Sequence, residues 1–170
     1  MHPVAQCAVK SPQACSQSEL NEFFDLVALA GKVATAGLQD RLQGAHSLAF
    51  LRLDGALIGV AGLKRPTPGY RARVAASSGT VLPESTYAFE LGWMSVAPVA
   101  AGGKSMALCQ PLMVLADADG VFATTGTDNG RMQTTLGKLG FARTGAEWRS
   151  KEADEMLCLF VRKSADKAYA

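Results

Sequence analysis

Apolar positions change rhythm several times along the 170 residues. "VAQCAVK" (4–10) reads as a short strand, and "SPQACSQ" after it is turn-like. From Ser18 the pattern becomes helical. Leu20, Phe23, Phe24, Val27 and Leu29 recur at helical spacing, Ser18 stands three residues before Asn21 as a loose cap signal, and Gly31 can end the helix. "TAGLQDRLQGA" follows as a shorter helix, with Leu38 and Leu42 one turn apart. The rhythm then shifts to strands. "SLAFLRLDGALIGVAGLK" is two apolar runs joined by Asp54-Gly55, a strong hairpin signal.

Residues 65–85 are rich in Pro, Gly and Ser and read as a long excursion with one helical turn at 70–76. A long strand is expected over 86–98, then a loop, "VAAGGKS", and an apolar helix, "MALCQPLMVLADAD", that Pro111 should kink. "GVFATT" is a short buried strand, and "DNGRMQTTLGKLG" a short helix ended by Gly140. "FARTGAEWRS" and "EMLCLFVRK" are two closing strands. This order predicts one α/β (α+β) domain over residues 1–170 around a mixed sheet, with 1–18 as a short strand plus a flexible segment. It lacks the regular βαβαβ alternation of a doubly wound nucleotide fold.

Composition narrows the function. At 48% hydrophobic and 19% charged, the chain can build a real core. Its 17 basic and 15 acidic residues lack the basic excess that phosphate-backbone binding needs, so no nucleic-acid partner is expected. No apolar run reaches the ~18 residues of a membrane helix. The N-terminus has no charged region followed by an apolar one, so a cytoplasmic protein is expected, with no membrane partner. Cys7, Cys15, Cys109 and Cys158 form no CxxC pair and only two histidines exist, so reduced, packed thiols and no metal are expected.

One stretch carries candidate chemistry. Ala101-Gly102-Gly103-Lys104-Ser105 looks like the end of a phosphate-binding P-loop, but that motif needs a glycine five residues before Gly103, where Pro98 stands. A plain structural turn is one alternative. The other is an anion site, in which a strand, a tight loop of small residues and a helix aim N–H groups at one spot. Small residues let a ligand approach the backbone, which would suit a pyrophosphate.

With these residues the chain resembles the GNAT acyltransferase superfamily, whose fingerprint is a strand ending in V-x-P, a loop of the type R-G-x-G-x-G/A, and a helix. Val96, Pro98 and Gly102 fall in place, whereas Ala101 replaces the usual arginine and Lys104 a usual glycine. "FATTGTDNGRMQTTLGKLGFARTGAEW" (122–148) looks like the superfamily's fifth strand, its Asn-initiated helix at Asn129 and its closing "LGF" unit at Leu139-Gly140-Phe141. The resemblance is best over 86–163, fair over 46–64 and thin before that. It implies a mixed, mostly antiparallel sheet of six to seven strands, flanked by helices and splayed between strands 4 and 5.

The resemblance further implies acetyl-CoA as acyl donor. Its pantetheine arm would bond to the backbone around Met94 and Val96, its pyrophosphate to the N–H groups of Gly102, Gly103, Lys104 and Ser105, with Asn129 on the pantetheine side. The solvated loop and the simple helix cap are the plain alternatives for Lys104 and Asn129. The implied reaction moves an acetyl group onto a primary amine of a small molecule or protein. Glu90 is the candidate base, a carboxylate in an apolar strand, where burial tends to raise the pKa; an outward-facing Glu90 is the alternative. The superfamily's tyrosine acid is replaced by Leu136, and Cys109 is a weak stand-in. His46-Ser47 invites a hydrolase reading, but neighbours on a strand should face opposite sides. Lys64, Arg65, Arg71 and Arg73 crowd the region where the superfamily's acceptors bind and are expected to hold an acceptor's carboxylate or phosphate, Arg71 and Arg73 above all; a soluble charged loop is the plain alternative. A homodimer is compatible with the sequence. The competing reading is a catalytically degenerate module of the same fold that binds acyl-CoA or a protein.

Overall fold

A computed structural model describes residues 3–98 and 102–164. Strand β1 (Gln6–Lys10) leads to helix α1 (Gln17–Ala30). The cap of α1 is Ser16 and not Ser18: its hydroxyl accepts from the Glu19 N–H and the Glu19 carboxylate accepts from the Ser16 N–H, a complete capping box. Gly31, left-handed at φ 70°, ends α1 as expected. Helix α2 (Leu38–Gln43) buries Leu38 and Leu42. Strands β2 (Ser47–Leu53) and β3 (Ala56–Lys64) form the expected hairpin, with φ of 50° and 81° at Asp54 and Gly55, both positive as a type I′ turn requires.

The excursion over 65–85 holds more structure than a single turn. Helix α3 spans Pro68–Ser78, with Pro68 in its first turn and the Thr67 hydroxyl accepting from the Tyr70 N–H. Only Val74 and Ser78 of α3 are buried, so the helix leaves almost no apolar rhythm in the sequence. Strand β4 (Tyr87–Val96) precedes helix α4 (Lys104–Ala116), which is helical straight through Pro111. The donor lost there would have served the carbonyl of Ala107, an exposed residue that water can reach. Strand β5 (Gly120–Gly126), helix α5 (Gly130–Lys138), and strands β6 (Ala142–Arg149) and β7 (Met156–Arg162) complete the described chain. No helix among the described residues is long and apolar enough to cross a membrane.

The seven strands form one sheet in the order β1-β2-β3-β4-β5-β7-β6, antiparallel everywhere except between β4 and β5. Alternation along the strands gives each face its own core. Leu108 and Leu112 of α4 and Leu136 of α5 pack on Leu63, Leu91 and Val121. On the opposite face Phe23 of α1 and Leu38 of α2 meet Phe50 and Trp93, while Val74 of α3 meets Tyr87 and Phe122.

Two irregularities shape the centre of the sheet. The β4–β5 register pairs Tyr87 with Gly120, Phe89 with Val121 and Glu90 with Phe122, then stops. Both strands continue, to Val96 and Gly126, while β5 stays paired with β7. The sheet therefore forks beyond Glu90, as expected. The second irregularity is a bulge: β3 advances from Val60 to Gly62 while β4 advances from Gly92 to Ser95, so β4 carries one extra residue. Trp93 takes up the excess at φ 55°.

Candidate active site

The bulge decides which side chains meet at the fork. Glu90 and Gly92 share one face by alternation, and the extra residue keeps Trp93 on that same face, over α1. Gly62 makes room for the indole, since a Cβ there would stand 2.6 Å from the Trp93 ring.

Glu90 is buried, with 2% of its surface exposed, so the outward-facing alternative does not hold. It does not lie among apolar groups alone. The Tyr70 hydroxyl donates to Oε2 at 2.6 Å, and Lys64 Nζ, on the strand residue paired with Glu90, stands 2.6 Å from Oε1. That second contact is a close charge pair whose angles fall short of a hydrogen bond, leaving Oε1 without an aligned donor among the described residues. Burial, and then the Glu90 charge, push the Tyr70 phenol well above its ordinary pKa, so at neutral pH it remains a donor; a smaller effect of Thr124, on β5 just past the fork, works the other way. The Lys64 ammonium lies 5.0 Å from the centroid of the Tyr70 ring and 4.8 Å from that of Trp93. Trp93 Nε1 is buried without a hydrogen-bond partner among the described residues.

The other expected site residues lie on β4 past the fork or follow β4 and β5 in the chain. Met94 and Val96 lie on the stretch of β4 that has left β5, and both pack toward α4. Gly102 and Gly103, at φ 104° and 70°, open α4, and among the described residues no atom beyond their chain neighbours lies within 4 Å of where a Cβ would stand on either. Lys104 and Ser105 form its first turn, which has no side-chain cap. The Ser105 hydroxyl lies 2.7 Å from that of Thr135, tying α4 to α5. Ala101 lies outside the described residues. Asn129 caps α5, its Oδ1 accepting from the Met132 N–H at 3.2 Å.

The basic cluster disperses. Lys64 turns inward to Glu90. The Arg71 guanidinium donates to the carbonyls of Tyr87 at 2.6 Å, Leu82 at 3.1 Å and Ala88 at 3.5 Å, and lies over the Phe122 ring, fastening α3 to β4. Arg65 and Arg73 stay exposed, Arg73 beside the Tyr70 ring. Between α3 and residues 79–84 runs an apolar groove of about 420 Å³. Leu136 is fully buried on α5. So is Cys109 on α4, where burial pushes the thiol up to about 12, so it stays protonated inside the core. His46 Nδ1 and Ser47 Oγ do meet, at 2.8 Å, because His46 precedes β2 and escapes strand alternation.

Sequence reading missed Tyr70 and Trp93 and placed Lys64 in the wrong company. The available signal was Gly92-Trp93 inside an apolar strand, the mark of a bulge, and Lys64 closing an otherwise apolar strand.

No family model matches the sequence, and no curated protein matches it. Solved structures do. An acyl-CoA N-acyltransferase from Pseudomonas aeruginosa is 14% identical, with 94% of this chain and 99% of that one covered at a TM-score of 0.64. FeeM, an N-acyl amino acid synthase from uncultured soil microbes, is 13% identical, with 95% and 91% covered at 0.69. An acetyltransferase of the GNAT family from Streptococcus agalactiae is 14% identical, with 93% and 95% covered at 0.67. At such identities the likeness speaks for the backbone alone, and what it establishes is that this forked, mostly antiparallel sheet with its flanking helices has the GNAT fold.

Proposed function

We propose that the chain, as a single domain over residues 1–170, is an acyl-CoA-dependent N-acyltransferase that moves an acetyl group from acetyl-CoA to a primary amine of a small molecule or protein. The observation that carries this reading is Glu90 at the root of the fork: a buried carboxylate on the last β4 residue still paired with β5. Acetyl-CoA supplies the activated acyl group. The unpaired edge of β4 at Met94 and Val96 offers backbone groups to an extended ligand, as an added strand would use them. Gly102, Gly103, Lys104 and Ser105 offer N–H groups at an uncapped helix start with open space around both glycines, which fits a pyrophosphate. Asn129, which follows β5 and caps α5, is taken to lie on the pantetheine side.

Glu90 takes the proton of the attacking ammonium, because only the neutral amine is a nucleophile. Tyr70, held protonated, keeps Glu90 in place through Oε2. Trp93 and Met94 have no partner in the β3 register, which leaves the bulge to aim the Met94 N–H at charge developing on the thioester oxygen. With Leu136 in the superfamily's tyrosine position, water protonates the departing thiolate, which at an ordinary thiol pKa of ~8.5 needs little help. Four free cysteines suit a reducing compartment, and we place the protein in the cytoplasm.

The test is thermal shift with acetyl-CoA, free coenzyme A and Mg-ATP in parallel, followed by thiol release with a panel of amines. A coenzyme at about 100 times its Kd stabilises the fold by roughly 2.7 kcal/mol. A shift with Mg-ATP alone would overturn the reading. One observation favours the second reading, a binder without turnover: both Glu90 oxygens already face side chains of this chain. Coenzyme binding without thiol release from any amine is its signature.

The two arginines separate by variant. Arg71→Ala strips donors from three backbone carbonyls and is expected to cost roughly 1–3 kcal/mol in urea denaturation. Arg73→Ala is expected to leave stability near wild type and to raise the acceptor KM without changing coenzyme affinity. An unchanged KM would remove Arg73 from the acceptor site.

A further inference from the structure

What surrounds the end of Lys64 is a complete receptor for an ammonium ion. Glu90 Oε1 lies 2.6 Å away, and the faces of Tyr70 and Trp93 flank the nitrogen at 5.0 and 4.8 Å. A carboxylate and two aromatic faces are the groups that bind a cationic amine. The stem lies across Gly92, where a Cβ would come within 2.8 Å of the Lys64 Cδ. Yet the occupant fits imperfectly, because Oε1 has no aligned hydrogen bond among the described residues although Glu90 is 2% exposed. Lys64 also keeps a way out. It is the last residue of β3, its side chain is 17% exposed, and Arg65 and Pro66 follow without regular structure.

We propose that Glu90, Tyr70 and Trp93 form an ammonium-binding site that Lys64 fills in the free chain, and that the acceptor's primary ammonium takes this place when Lys64 swings out. The inference rests on the acyltransferase reading for the word acceptor, and on geometry alone for the site. Exchange makes the energetics feasible. Burying a new charge beside Glu90 would carry a heavy desolvation cost, whereas replacing one ammonium by another keeps the charge of the pocket constant. The short distance to Oε1 selects a nitrogen that donates hydrogen bonds, so primary amines are preferred over quaternary ones. An unbranched stem is preferred because the Lys64 methylenes lie so close over Gly92 that not even a Cβ fits between them.

The test is chemical rescue of Lys64→Ala by n-butylammonium, an unbranched primary ammonium one methylene longer than the deleted Cγ–Cε stem. The amine is expected to raise the Tm of Lys64→Ala saturably, by roughly 5–10 °C at about 100 times its Kd. n-Butanol and tetramethylammonium should do much less, and Lys64→Met, whose stem fills the same space without a charge, should gain nothing. If Lys64→Ala does not fold alone, its refolding yield from urea with and without the amine gives the same answer. Equal response to butanol and butylammonium, or no response in either assay, overturns the site. Acetyl-CoA is then added and N-butylacetamide measured. Rescue without this product keeps the ammonium site and sinks the acyltransferase reading. Product without amine-specific rescue does the reverse.

Discussion

Glu90→Gln should lower kcat/KM for amine acetylation by roughly 10²–10⁴-fold while acetyl-CoA still raises the Tm. The replacement keeps the size of the side chain and an oxygen to accept from Tyr70. It removes the ability to take a proton. The coenzyme contacts proposed for Met94, Val96 and residues 102–105 lie beyond the paired part of β4, so coenzyme binding should survive. Stability should fall as well, because the Lys64 ammonium loses its counter-charge; its 17% exposure gives it a route to water, which limits the cost. The thermal shift therefore serves as control for the rate. An unchanged rate in a folded variant would remove Glu90 as base.

Gly120→Ala should do the opposite, damaging the fold before any step of catalysis. A Cβ at Gly120 would stand 1.9 Å from the carbonyl oxygen of Thr86. That oxygen belongs to the backbone, so no rotamer change relieves the clash. Gly120 is also the first residue of β5 and pairs with Tyr87, at the closed end of the only parallel pair among the described strands. Its displacement would pry β4 from β5 where they must hold together for the fork to open further on. The cost should reach or exceed roughly 3 kcal/mol, the top of the usual overpacking range, and lower the Tm by about 6–12 °C. A Tm within about 2 °C of wild type would show that the junction is softer than its geometry implies.

The contrast between α3 and the hairpin explains what was legible. Asp54-Gly55 needs nothing beyond its own backbone to turn a chain, so the hairpin could be read directly. α3 buries only Val74 and Ser78 and is held to β4 by its own Arg71 side chain, so its sequence reads like a loop. The helix around Pro111 was legible too, and it stays continuous because one lost hydrogen bond weighs little against Leu108, Leu112 and Met113 packed on the sheet. Leu139-Gly140-Phe141 and Asn129 were legible because caps and turns are local chemistry.

The candidate site divides along the same line. Glu90 stood out as a carboxylate in an apolar strand, a property of the sequence alone. Its partners did not. Lys64 comes from the facing strand, Tyr70 from a helix hidden in an apparent loop, and Trp93 from a bulge that reverses strand alternation. By itself the sequence determined strand and helix periods, turn chemistry, caps, and which chemical groups were available, because each acts within a few residues. Only the tertiary structure decided that β4 and β5 part after Glu90 and that an ammonium stands beside it, because register and bulges come from packing whole strands against their neighbours.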